Sequence, residues 1–308
     1  MINVWLRAAA ALALSLSTAW GAECGPDALG TSRILKVGTE GGLKVGWKTY
    51  PDTLPLADHE VILTFDDGPD PETTPLVLNA LKAQCVRATF FAIGRKVDDA
   101  PKLARREVEE GHNVAFHTYA HPQPTLRYMG VAAARADILK GAISVERAAY
   151  GRTFPDGEPD DLAKLKPHSP FFRYPGFADT ADLNAWFARS NVAVFGADVW
   201  ASDWIRMTPD QELKLVFSRL DRARKGMVLL HDDKPWTAAM LPKFLAGLKA
   251  RGYRIVEIEA GPGRGPTEKA PPGWRSETGR TPDSIRPRPD KATAKAGADS
   301  DAKPAPGQ

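Results

Sequence analysis

Cysteine is nearly missing: Cys24 and Cys85 are the only two in 308 residues. That scarcity excludes a small disulfide-built scaffold, so a hydrophobic core must hold the fold. Beyond the N-terminus no apolar run is long enough to span a bilayer. An excess of one charge sign is missing too. The formal net charge is +3, and the stretch from residue 261 to the end supplies it, with nine Lys/Arg against six Asp/Glu. The body is therefore near neutral and has no basic stripe, which argues against a nucleic-acid partner. No internal repeat is visible, which sets aside solenoid architectures. What is there, 43% hydrophobic and 26% charged residues, is ordinary globular composition, with length for one sizeable domain plus appendages.

Both ends read as appendages. Residues 1–21 have the form of a signal peptide: Arg7, the short apolar run Ala8–Leu16, then Ala19 and Gly21 at the positions a signal peptidase reads. Cleavage after Gly21 and export, to the periplasm or outside the cell, are expected, with no membrane span left afterwards. An uncleaved anchor is the alternative. In an oxidising compartment the two cysteines read as one disulfide, Cys24–Cys85, which would pin the N-terminus; two unrelated thiols are the other reading. Residues 22–56 read as an extended lead-in and 57–260 as the functional domain. Residues 261–308, with nine prolines, read as a disordered tail that cannot offset its ordering entropy.

From residue 57 short apolar runs alternate with amphipathic stretches. Strands are expected at 61–65, 88–93, 113–116, 171–173, 192–197, 227–230 and 254–258. Helices are expected at 73–84, 101–110, 131–149, 181–189, 209–224 and 236–250. This rhythm argues a parallel α/β architecture with right-handed crossovers. Periodicity alone leaves a barrel and an open doubly wound sheet both standing. The polar, Pro/Gly-rich stretch 151–170 reads as a long loop at the rim.

Residues able to do chemistry collect at the C-terminal ends of these strands, the face where parallel α/β folds build sites. Asp66-Asp67 ends the first, His117 to His121 the third, and Arg173 the fourth. Asp203 and Trp204 follow the fifth, and His231 ends the sixth. Successive residues at a strand end point in different directions, so Asp66 and Asp67 are free to serve different tasks. His117 and His121, spaced i, i+4, are expected on one side of a helical turn. With one carboxylate they form a two-His, one-acid ligand set with an open position, as catalytic zinc requires. His231 is a candidate general acid with Asp203 as its partner, and Arg173 is placed to pair with Asp66.

Together these motifs resemble the polysaccharide deacetylase family, the NodB-homology domain of carbohydrate esterase family 4. Thr64-Phe65-Asp66-Asp67-Gly68-Pro69 is similar to its first motif and His117-Thr118-Tyr119-Ala120-His121-Pro122 to its second. Phe172-Arg173-Tyr174-Pro175-Gly176, Asp203-Trp204 and Leu229-Leu230-His231 resemble the third, fourth and fifth. The resemblance covers residues 58–258. It implies a distorted (β/α) barrel of about seven parallel strands and one divalent metal, zinc first, on Asp67, His117 and His121. It further implies Asp66 as general base oriented by Arg173, and His231 as general acid tuned by Asp203. Trp204 and Leu229 would wall an acetyl pocket, and the Gly176 N–H would serve an oxyanion. The implied activity is removal of N-acetyl groups from an amino-sugar polymer or oligomer. O-acetyl ester hydrolysis, a small-molecule amidase and a non-catalytic carbohydrate- or metal-binding protein are the competing readings. Two positions depart from the family pattern. Gly176 stands where an aromatic usually follows the proline, so a groove-lining ring is lost. Trp200 stands where an acid usually precedes Asp203 by three.

Overall fold

The computed structural model describes residues 25–278. The expected signal peptide, Cys24 and residues 279–308 of the expected tail lie outside the described residues. In chain order the elements begin with β1 (Thr31–Gly38), β2 (Lys44–Val45), β3 (Asp52–Thr53), β4 (Glu60–Asp66), α1 (Thr74–Ala83), β5 (Thr89–Ala92) and α2 (Gly94–Asp99). They continue with α3 (Pro101–Glu109), β6 (Asn113–Phe116), α4 (Val131–Ala148), α5 (Leu162–Leu165), β7 (Phe171–Phe172), α6 (Ala181–Arg189) and β8 (Ala193–Phe195). The last are β9 (Val199–Trp200), α7 (Pro209–Ala223), β10 (Gly226–His231), α8 (Pro235–Ala250), β11 (Arg254–Gly261) and β12 (Glu268–Lys269).

Ten strands form one parallel sheet, ordered β1-β11-β4-β5-β6-β7-β8-β2, with β10 paired to β4 and β9. Thr64 of β4 pairs Leu229 on one side and Thr89 on the other, while Val61 pairs Gly226 and Ile255. The edge of β4 away from β10 therefore serves β11 at its start and β5 at its end. The sheet curves into an α/β barrel that strand pairing does not close among the described residues. The observed sheet has more strands than the seven expected, because β1, β2 and β9 join it.

Every residue of β4 and β10 is buried. Strands covered on both faces read as unbroken apolar runs, which is why these were visible in the sequence. Outward residues, Leu63 and Phe65 of β4 and Phe90 of β5 among them, pack against Leu78, Leu241 and Phe244 of α1 and α8. Inward residues of these and the neighbouring strands, Ile62, Phe91, Phe171, Phe195 and Met227, fill the lumen. Each such large side chain contributes about 1.5–3 kcal/mol on burial. Helix starts are well specified. Pro occupies the first turn of α1, α3, α7 and α8, and Thr208 and Gln211 form a capping box on α7.

Two boundaries shift. Residues 22–56 contain β1, which runs beside β11 from Thr31 to Gly38. Its alternating half-buried pattern hides the strand from an apolar-run reading. Residues 261–278 are packed rather than free: β12 pairs β3, and the Trp274 indole donates to the Trp47 carbonyl at 2.6 Å. The stretch 151–170 carries α5, whose Leu162 and Leu165 are buried against α4 and α6. Asp161 in it accepts the Trp186 indole N–H at 2.8 Å. Cys85 is disulfide-bonded.

Candidate active site

At the top of the lumen the strand ends deliver their polar residues to one place. Asp66 closes β4 on the lumen side, and Asp67 then adopts a left-handed φ of 76°. Gly68 completes the turn. A Cβ there would lie 1.9 Å from Asp232 Oδ2, so only glycine fits.

The i, i+4 helical turn expected for His117 and His121 is not present. The segment is irregular, with left-handed φ at Thr118 (68°) and His121 (48°). These two reversals bring the imidazoles together in place of a helix. The Thr118 hydroxyl accepts the His121 N–H at 3.0 Å. The Asp137 carboxylate of α4 accepts the N–H groups of Tyr119 (3.1 Å) and Ala120 (3.2 Å). From the other side Gly94 and Arg95 of α2 donate to the carbonyls of Thr118 and Tyr119 at 2.9 and 3.0 Å. The backbone between the two histidines is therefore held from both sides.

Asp67 Oδ1 lies 3.4 Å from His121 Nε2 and 3.5 Å from His117 Nε2. Ligand atoms of the three residues all lie within 4.8 Å of one another. The His117 Nδ1–H donates to the Arg173 carbonyl at 2.7 Å, which leaves the Nε2 lone pair facing Asp67. That is the tautomer a metal ligand needs. Burial lowers the His117 pKa to about 4 and also lowers that of His121, so both rings are neutral near pH 7. Burial works against charge on Asp67 as well. His231, His117, His121 and Lys234 outweigh it and hold its carboxyl well below the usual carboxylate range. Asp67 Oδ1 is buried with no hydrogen-bond partner. An orphaned carboxylate oxygen between two neutral imidazoles is costly unless a cation occupies the gap, so the donor set fits a divalent metal.

Arg173 is fully buried, beneath Asp66. It donates to Asp66 Oδ1 at 2.6 Å, Thr64 Oγ1 at 3.0 Å and the Gly196 carbonyl at 2.8 Å. Its guanidinium also lies 4.2 Å from the centre of the Phe91 ring. Burial raises the Asp66 pKa to about 6, with Arg173 and His231 opposing the rise and Asp67 adding to it. On the far side of the triad the His231 Nδ1–H donates to Asp203 Oδ1 at 2.8 Å, and His231 Nε2 faces Asp67 Oδ2 at 4.0 Å. Burial disfavours charge on this ring. Asp203, Asp67 and Asp66 outweigh it and raise the pKa to about 10.

The expected pocket residues divide. Leu229 and Trp204 come together with Trp200 and Ala197 in one apolar cluster, and the Trp204 ring centre is 6.1 Å from that of His231. Gly176 is exposed, in a short 3-10 turn with φ 57°. Position 176 carries no ring, but the next residue does. Phe177 stacks on Trp200, with centroids 6.0 Å apart and planes at 21°, so a ring beside Gly176 packs on the tryptophan that replaces the usual acid. Sequence reasoning missed Asp137, Lys234, Thr237 and Glu212, which reach the site only through long-range contacts. Lys234 lies 3.8 Å from Asp67 Oδ2 and 2.7 Å from Asp233 Oδ1. Asp232 faces away and is bound by the Thr74 hydroxyl.

Comparison with known proteins points to one family. The polysaccharide deacetylase family profile matches residues 54–153. A chitooligosaccharide deacetylase of Bradyrhizobium sp. is 37% identical over 210 residues, covering 63% of this chain and 87% of that protein. The chain belongs to the polysaccharide deacetylase family. The peptidoglycan-N-acetylglucosamine deacetylase PgdA of Listeria monocytogenes is 32% identical over 202 residues, covering 65% of this chain. The match spans only 38% of the length of that relative. In three dimensions the chain is similar to the peptidoglycan deacetylase Bd3279 of Bdellovibrio bacteriovorus, with a TM-score of 0.63 at 25% identity. That similarity covers 82% of this chain and 64% of the other. Among the described residues no helix is long and apolar enough to cross a membrane.

Proposed function

We propose that this chain is a metal-dependent deacetylase that removes N-acetyl groups from an amino-sugar polysaccharide or oligosaccharide. One observation carries the reading. A two-His, one-Asp ligand set is flanked on one side by a carboxylate fixed to a buried arginine. On the other side it is flanked by an imidazole fixed to a buried aspartate. Asp67, His117 and His121 would hold a divalent metal, zinc being favoured by these N and O donors, and when bound it would supply Lewis acidity to the acetyl carbonyl and the attacking water.

The chain's own residues do the rest. Asp66 takes the proton from the attacking water, and Arg173 holds its carboxylate in place and ionised. His231 gives its Nε2 proton to the amine as the C–N bond breaks, so acetate and a free amino sugar leave. Asp203 holds Nδ1–H and keeps the ring charged for that step. Leu229 and Trp204 close around the acetyl methyl. The Gly176 N–H is a backbone donor for the carbonyl oxygen as it gains charge, a contribution worth about 3 kcal/mol for one donor. The signal-like residues 1–21 support a reaction outside the cytoplasm, where a Cys24–Cys85 disulfide would be stable and the envelope polymers lie.

Acetate release from chitin oligomers, peptidoglycan, poly-N-acetylglucosamine and acetylxylan, with and without chelator, tests this. Release from at least one N-acetylated polymer, lost on chelation and regained with zinc, is the expected result. Release from acetylxylan alone would move the assignment to an ester hydrolase. Tight metal binding with no turnover on any of them would overturn it.

A further inference from the structure

Behind Asp203 the hydrogen-bond chain continues in a way that constrains a proton. The Thr237 hydroxyl, in the first turn of α8, lies 2.9 Å from Asp203 Oδ2 and 3.0 Å from Glu212 Oε1. All three side chains are buried. A threonine hydroxyl has one proton to donate, so it cannot serve two carboxylates. One of the two contacts must be donated by the acid itself. Asp203 is the ionised member, because its oxygens also accept the His231 N–H at 2.6 Å and the His231 Nδ1–H at 2.8 Å. Glu212 has no such support. Its Oε2 is buried without a hydrogen-bond partner. No Lys or Arg comes within ion-pair distance of it among the described residues; Lys243, the cation that α8 turns toward α7, is taken by Asp210 at 2.9 Å.

From these contacts we infer that Glu212 is a neutral carboxylic acid that donates to Thr237, whose hydroxyl then donates to Asp203. It is a positioning residue for the general-acid side of the site. The balance of groups around it agrees. Burial raises the Glu212 pKa to about 8, Asp203 adds to the rise, and Thr237 and His231 oppose it. The direction of the chain matters. With its proton pointing at Asp203, Thr237 joins the main-chain and ring N–H groups of His231 as a third donor to that carboxylate. Its oxygens are then fixed where the imidazolium needs them. An ionised Glu212 would turn the hydroxyl around and leave Asp203 Oδ2 facing a second negative charge.

The test is an infrared difference spectrum of the zinc-loaded full chain, wild type minus E212Q, at pH 7. The expected difference is loss of the C=O stretch of an un-ionised carboxylic acid. Loss of the carboxylate band pair in its place overturns the inference. A kinetic arm rests on the proposed role of His231 and so fails separately. E212A removes the donor to Thr237 and should lower kcat about tenfold with KM steady. E212Q, whose amide N–H also donates, should recover most of that loss. If E212Q is as impaired as E212A, a donated proton from residue 212 is not what the site uses.

Discussion

The two ion pairs beside Asp67, His117 and His121 each join a carboxylate to a cation, and they face that triad in opposite senses. In Asp66–Arg173 the carboxylate faces the ligand triad and the cation is sealed below it, 0% exposed. In His231–Asp203 the cation faces the triad and the carboxylate is sealed, also 0% exposed. Burial works against charge on Asp66, Arg173 and His231. On the base side the partner limits the rise, leaving Asp66 at about 6. On the acid side the partner overrides burial and takes His231 to about 10. In the proposed mechanism, the member of each pair that looks at the open face accepts or donates the proton, and the hidden member sets its charge state.

Removing each hidden member should narrow the pH–rate bell from its own side. The largest effect is expected for Arg173→Leu. Arg173 lowers the Asp66 pKa, so without it that pKa rises. The acid limb, which needs ionised Asp66, then moves to higher pH. Activity at pH 7 should fall about 10³-fold. Stability should fall by about 3 kcal/mol, because a buried partner is left alone, as urea unfolding would show. Next comes Asp203→Asn. Asp203 raises the His231 pKa, so its loss lowers that pKa and moves the basic limb, which needs the protonated ring, to lower pH. A drop in kcat of about 10²-fold is expected. If both variants moved the same limb, the division of labour between the pairs would be wrong. The smallest effect is expected for Phe177→Ala. It removes the ring stacked on Trp200, away from the reacting atoms. KM for a polymeric substrate should rise about threefold with kcat little changed, measured by initial rates on oligomers of increasing length.

Much of this was legible in the residues. The strands covered on both faces, β4, β5, β6 and β10, announce themselves as apolar runs, and β4, β6 and β10 end in residues that carry chemistry. Asp66, Asp67, His117, His121, Arg173, Asp203 and His231 do converge. What the sequence hid has physical causes. His117 and His121 are four apart, a spacing that suggests a helix. The left-handed residues that actually join them leave no signature in Thr118 or His121. β1 alternates half-buried and exposed residues, so it lacks the run that marked the other strands. Residues 261–278 are proline-rich yet folded, because their anchors, such as Gly265 N–H to the Gly38 carbonyl at 3.1 Å, lie more than two hundred residues away. Asp137, Thr237 and Glu212 sit on helix faces where an acid or a threonine is unexceptional, and only the packing brings them to the site.

The central claim is that two neighbouring carboxylates have separate tasks, Asp67 holding the metal and Asp66 moving the proton. Zinc content after dialysis and acetate release, measured together on Asp66→Asn and Asp67→Asn, test it most directly. The expected result is that Asp66→Asn keeps its zinc and loses release by at least about 10³-fold, while Asp67→Asn loses the zinc itself. An Asp66→Asn protein that still releases acetate at the wild-type rate, or an Asp67→Asn protein that retains its zinc, would contradict the account.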